Sequence, residues 1–415
     1  MKTPLAIYNL WHQGAKTLVS IGGVAFALLL VFMQLGFKGA VSYTATNVLE
    51  KVDFDILVRP AGYLHLYEAN AFDRQWLDVA RNTEGVEAAL PMWVMIQNWR
   101  KMPTGDIIEA GKSLDFESQY LPIAVLSFDV QEDVFFPEAL PEVGEYRSAL
   151  LRANTLLLDD STKSDYGPWD GKQFTDYDAT LSADPAYPMR APEVSGQEYQ
   201  IAGLFELGTG LAANAAAIMG PNAFQRVFPW DMRDKAVLGL IRVDDGIDPQ
   251  NVVAALRERA AVGFEEAPAI SVMTREEALE AERNYWLWDQ PIGLIFQMGV
   301  VISLLVGAAI VYMVLSTDVA NRLPEYATLM AMGYSRGYLV GIVMTQAVVL
   351  CACGFVTAWI GAEGLYRATS SFSGIPLIMD AFKITQVGVL GLVMCCVSGM
   401  LALRKLWKAE PASLF

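Results

Sequence analysis

Residues 316–335 read STDVANRLPEYATLMAMGYS and lie between two long apolar runs. Pro324 suits the first turn of a short helix, because the N–H it lacks is one that turn leaves unpaired anyway. Glu325 sits favourably on the positive end of the helix dipole. Gly333 suits the position that ends the helix, where the backbone turns left-handed. The segment between is about two and a half turns, or about 13 Å long. Tyr326, Leu329 and Met330 fall on one face at i, i+3 and i+4. An apolar face on so short a helix has two expected destinations, the membrane surface or a groove on a partner protein.

Four runs are long enough to cross a membrane: Leu18 to Phe37, Ile292 to Leu315, Tyr338 to Ile360 and Ile384 to Leu403. Each is close to the roughly 20 residues that a hydrocarbon core of about 30 Å requires. Trp11, Tyr43, Trp286, Trp288, Trp359, Tyr366 and Trp407 flank them as interfacial aromatics. The first run is longer than a leader's apolar region, and Gln34, Gly36 and Lys38 appear with no small-residue cleavage site, so it reads as a retained helix. Lys2 and Lys16 precede the first run, and Arg404, Lys405 and Lys408 follow the fourth. By the positive-inside rule both termini are cytoplasmic. Loop 316–337 is then inside, although Asp318, Arg322, Glu325 and Arg336 cancel in charge.

The fold class expected is a membrane protein with four transmembrane α-helices and a large α+β periplasmic domain inserted between helices 1 and 2. The expected order is a cytoplasmic segment with the first helix over 1–40 and the periplasmic domain over 41–290. A second helix over 291–316, a coupling loop over 317–337 and a third helix over 338–362 follow. A short periplasmic loop over 363–383 leads to the fourth helix and cytoplasmic C-terminus over 384–415. The expected location is the bacterial inner membrane.

Composition agrees with this division. The chain of 415 residues is 53% hydrophobic, with a mean hydropathy of +0.31, high for a soluble domain. Its formal charge of −16 is uneven: residues 41–290 hold 41 acidic and 20 basic residues, a balance of −21, and the rest carries +5. An acidic outer block argues against nucleic acid as a partner. Cys351, Cys353, Cys395 and Cys396 all lie in apolar runs. The outer domain therefore has no disulfide framework and must rest on its core. The cysteines read as small apolar residues of spanning helices, since no His or second Cys pair has zinc spacing.

Within 41–290, Phe54 to Val58, Val86 to Ile96, Thr155 to Leu158 and Val237 to Val243 read as strands. Phe72 to Arg81 and Pro249 to Arg259 read as helices, the second with Asp248 as N-cap. Asp159 to Pro192 reads as irregular surface. Thr274 and Glu277 have capping-box spacing. A stalk helix should start there and run to about Trp288, carrying Trp286. Pro291 then either begins the spanning helix or kinks a continuous one. In both cases a stiff helical stalk is expected.

Motifs for catalysis fail on spacing. Gly105 to Ser113, GDIIEAGKS, has five residues between glycines where a phosphate loop needs four. Gly333 to Gly337 fits G-x-S-x-G, but His12 and His65, the two histidines, both precede it. No metal or cofactor site is expected, and nothing supports an enzyme acting alone.

The run TDVANRLPEYATLMAMGY, after the second of four helices, resembles the coupling region of MacB/FtsX/LolC-type ABC permeases, most closely the DevC-type branch. Thr3 to Gly39, Phe54 to Leu66, Tyr285 to Tyr338 and Pro411 to Phe415 carry the same resemblance. It implies a homodimer in membrane lipid above a separate ABC ATPase subunit that holds the ATP and Mg. It also implies a periplasmic adaptor (a membrane fusion protein) and an outer-membrane TolC-like channel. Carried over, Arg322, Leu323, Pro324, Glu325, Tyr326, Leu329 and Met332 would dock the ATPase, and Gly333 would end the helix. Thr274, Glu277, Trp286 and Trp288 would form the transmitting stalk. The function implied is export of a lipid or hydrophobic substrate. The competing readings are a lipoprotein-releasing permease, an FtsX-like signalling scaffold, and a membrane receptor with no ATPase.

Overall fold

The computed structural model describes residues 14–68, 70–100, 120–163, 166, 192–208, 213–262 and 270–408. Gly105 to Ser113, most of Asp159 to Pro192, His12 and Pro411 to Phe415 lie outside them. The chain divides into two compact units, one of Met1–Val41 with Gln290–Phe415 and one of Ser42–Asp289. The fold class is a membrane protein with four apolar helices and an α+β domain inserted after the first.

The inserted unit is built on a ten-stranded sheet. Its strands are β1 (Ile56–Pro60), β3 (Val86–Arg100), β4 (Tyr120–Phe128), β5 (Thr155–Asp159), β6 (Glu193–Val194), β7 (Gln197–Glu198), β8 (Gln200–Phe205), β9 (Ala216–Met219), β11 (Leu238–Val243) and β12 (Ile270–Thr274). The main path runs β12-β1-β11-β3-β4-β9-β5-β8. All its pairings are antiparallel except β4 with β9 and β5 with β8. Side chains on a strand alternate between faces, so one sheet can serve two cores. On β1, Ile56 and Val58 join a core with Leu77 of helix α2 (Gln75–Arg81) and with Val252 and Leu256 of helix α6 (Pro249–Val262). Leu57 joins the larger core with Met92, Trp93, Leu126 and Ile218.

Two expected elements differ. Phe72 and Asp73 are not helical; they form the short strand β2 (Phe72–Asp73) against β10 (Lys235–Ala236). Burial of Phe72 and the Asp73–Lys235 ion pair at 2.6 Å hold them there, and the helix starts only at Gln75. Strand β3 runs four residues past Ile96, because β4 pairs with it as far as Arg100 and Trp99 is buried.

The other unit holds the apolar helices. Helix α1 (Gly14–Lys51), α8 (Pro291–Asn321), α10 (Arg336–Ser373) and α11 (Ala381–Lys408) are each long and apolar enough to cross a membrane. Helices α3 (Pro141–Glu145), α4 (Arg147–Leu150) and α5 (Pro221–Phe224) are short turns of the inserted unit, and α7 and α9 are described below. Helix α1 does not stop near residue 40: its last turns belong to the inserted unit, where Val48 and Leu49 enter the large core.

Helices in lipid gain little from the hydrophobic effect and associate through close packing and interhelical hydrogen bonds. Both occur here. The Ser398 hydroxyl donates to the Ala308 carbonyl at 2.9 Å, and the Tyr366 hydroxyl donates to the Phe32 carbonyl. A Cβ on Gly307 would stand 2.7 Å from the Ala27 Cβ and 2.6 Å from the Met394 sulfur, so α8 meets α1 and α11 there through a bare backbone. Gly307→Val should lower the stability of the solubilised chain by about 1–3 kcal/mol through overpacking. Gly364→Val, with open space around its Cβ, should not. Thermal unfolding in detergent measures both.

Candidate functional site

Helix α9 (Leu323–Ala331) occupies the turn between α8 and α10. Its end is a full left-handed cap. Gly333 has φ +92°, its N–H donates to the Met330 carbonyl at 3.0 Å, and the Tyr334 N–H donates to the Leu329 carbonyl at 3.1 Å. Those are the paired bonds of a Schellman motif, which a β-carbon at Gly333 would strain. Ser335 then caps α10, its Oγ accepting from the Tyr338 N–H at 3.3 Å.

The apolar face of α9 goes to neither expected destination. Tyr326 is 2% exposed and packs with Val319, Leu339, Ile342, Val343 and Leu403, which come from α8, α10 and α11. Leu323, Leu329 and Met330 pack partly on the same cluster. The chain thus covers this face itself. Burial pushes the Tyr326 hydroxyl up to about 12, with Asp318 adding to the shift. That hydroxyl has no hydrogen-bond partner.

Arg322 fastens the start of the helix. Its guanidinium donates to Asp318 at 3.0 Å on the last turn of α8 and to Glu325 at 3.4 Å on α9. The expected docking set is therefore divided. Pro324, Glu325 and Met332 are exposed, Met332 at 63%, and Thr328 and Tyr334 share that exposure. Arg322, Leu323 and Leu329 are half-buried, and Tyr326 cannot offer its ring to a partner in this arrangement.

The expected stalk is helical but not one rod. Helix α7 (Arg275–Asn284) begins with the full capping box: the Thr274 hydroxyl accepts from the Glu277 N–H at 3.3 Å, and Glu277 accepts from the Thr274 N–H at 3.0 Å. A π-turn over Tyr285–Asp289 follows. Gln290 is then extended, at φ −94° and ψ 143°, and Pro291 starts α8 in its first turn. Of the two roles open to Pro291, it takes the helix start, and the winding is interrupted before it. Trp286 is half-buried and Trp288 is exposed.

Two residues that sequence reasoning passed over hold α7 in place. Arg275 donates to the carbonyls of Glu50 at 2.9 Å, Val52 at 2.6 Å and Phe54 at 3.3 Å, at the end of α1 and just beyond it. Glu282 is buried at the other end of α7. Its signal was positional: it stands four residues after Ala278, on the helix face that buries Ala278. Among the described residues no cluster of three metal-ligating side chains occurs.

Comparison with known proteins gives one family match. Residues 298–411 match the family model described as FtsX-like permease C-terminal. The extracellular domain of the noncanonic ABC-type transporter YknZ from Gram-positive bacteria superposes with a TM-score of 0.28 at 10% identity. It covers 53% of this chain and 98% of that one. The periplasmic region of MacB from Actinobacillus actinomycetemcomitans gives 0.31 at 8% identity, covering 57% and 96%. No curated protein matches the chain.

Tyr326→Ala should cost about 3–5 kcal/mol, as large aromatic truncations in a core do. Tyr326→Phe should be neutral or slightly stabilising, because it removes a hydroxyl that is buried without a partner. Unfolding temperatures of the two variants in detergent check the pair.

Proposed function

We propose that this chain, whose residues 298–411 match the FtsX-like permease C-terminal model, is a multi-pass permease and the membrane subunit of an ABC exporter. A separate ATPase chain grips the exposed face of α9 at Pro324, Glu325, Thr328 and Met332. The observation that carries this reading is the division of α9 into two faces. One is anchored in the bundle by Tyr326, and the other is free and rigidly presented. A push on the free face is taken up by α8 through Arg322–Asp318 and by α10 and α11 through the Tyr326 cluster. A short helix that is itself buried on one side can pass on force, where a loop of the same length would absorb it.

In this reading α9 is cytoplasmic, and so are both termini, while Ser42–Asp289 is periplasmic. ATP and Mg stay in the ATPase. The permease works as a homodimer in the inner membrane, passing a lipid or hydrophobic substrate to a periplasmic adaptor and an outer-membrane TolC-like channel. A lipoprotein-releasing permease would lack the adaptor, and an FtsX-like scaffold would move the outer unit without a transported molecule. Purification of the native complex separates these readings by whether an adaptor accompanies the ATPase.

Thr328→Lys and Met332→Asp alter only the exposed face and leave the Arg322–Glu325 pair in place. Both should abolish ATPase association in co-purification while leaving the unfolding temperature within about 1 °C of the parent, as surface changes usually do. Retained association in both variants would overturn the docking assignment.

A further inference from the structure

Helix α7 carries four glutamates, and Glu282 alone of them is buried, at 1% exposure. Its carboxylate has three donors. Oε2 accepts from the Tyr63 hydroxyl at 2.9 Å, and Oε1 accepts from the Leu66 N–H at 2.9 Å and from the Trp286 indole N–H at 3.3 Å. Two of those donors belong to the loop that follows β1, and the third belongs to the π-turn. The ring of His65, in the same loop, lies 5.3 Å from that of Tyr285 and 5.2 Å from that of Trp286. One side chain therefore ties two segments more than 200 residues apart in sequence.

Burying a carboxylate without a hydrogen-bonded cation costs several kcal/mol unless neutral donors fill its lone pairs. Here a group that can only accept meets three groups that donate. A glutamine would turn an NH2 toward one of those donors. The burden falls beside an irregular winding. A π-turn is rare, occurs mostly as a single turn and often lies at functional sites, and it takes in one residue more than α winding would. Its first turn is where Trp286 is held.

We propose that Glu282 is a latch: its carboxylate fastens loop 61–68 to the π-turn and holds Tyr285–Asp289 in π winding, and its release lets that turn rewind as α-helix. Dropping the extra residue would rotate Trp288 about the helix axis by about 100°, one residue's share of an α-helical turn. Under the transport reading, on which only the purpose of the latch rests, this is a two-position joint in the segment that leads to α8. Glu282 is a positioning residue; it touches no substrate in this account.

The test is amide hydrogen exchange on the full chain in detergent. Glu282→Gln keeps the shape of the side chain and should still speed exchange at least tenfold in both 61–68 and 285–289. Strand β11 should keep parental protection. Tyr63→Phe, which removes one donor and no charge, should give a smaller change in the same two segments. Parental exchange in Glu282→Gln would show that packing alone holds the turn and would overturn the latch. Faster exchange in 61–68 with 285–289 unchanged, in either variant, would also overturn it. If Glu282→Gln loosens the whole unit, Tyr63→Phe decides between these outcomes. Loss of ATPase docking in the α9 variants has no bearing on this measurement, so the latch and the docking assignment can fail separately.

Discussion

Helix α9 is nine residues long, too short to hold together in water on its own hydrogen bonds. What fixes it is the Tyr326 ring, driven into the junction of α8, α10 and α11. Everything else about the turn follows from that insertion. With Tyr326 inward, Leu329 and Met330 lie along the bundle, and Glu325, Thr328 and Met332 are left facing outward. The Schellman cap at Gly333 then pairs the Leu329 and Met330 carbonyls as the chain turns into α10, and Arg322 closes the other end. A face that looks free in a helical projection is the one spent on anchoring, and the face that looks ordinary is the one available to a partner.

The inserted unit repeats the same economy of fixing a short helix at its ends. The start of α7 is held by the Thr274–Glu277 box and by Arg275 on the carbonyls around the end of α1. Its far end is held by Glu282 on the loop after β1. The two segments by which the chain enters and leaves this unit are thus tied together inside it, next to the edge of the sheet formed by β12, β1 and β11. The π-turn and the extended Gln290 come just beyond these ties. The regular α winding is therefore broken in the few residues before Pro291, not within α7.

The four apolar helices, the boundary of the inserted unit and the capping box were legible because each depends on local pattern. Length of an apolar run, charge by region and Thr-x-x-Glu spacing need no knowledge of distant contacts. The caps of α9 were equally local, since Pro324 and Gly333 have few other uses. The direction of Tyr326 was not legible. Periodicity says that a face is apolar but not whether the cover is lipid, a partner or the chain itself, and here the cover includes Leu403, 77 residues on in sequence. Strand β2 was missed because Phe72 and Asp73 are held by Lys235 and Ala236 across the fold. Glu282 was missed because a glutamate in a charged helix looks solvated until the loop that donates to it is placed.

Site-specific photocrosslinking in intact cells tests the two-faced helix most directly. A benzophenone amino acid placed at Met332 should crosslink to the ATPase subunit, and the same probe at Leu339, buried on the α10 side of the Tyr326 cluster, should not. Crosslinks to the ATPase from Leu339 and none from Met332 would contradict the account, because the anchored face would then be the one that meets the partner.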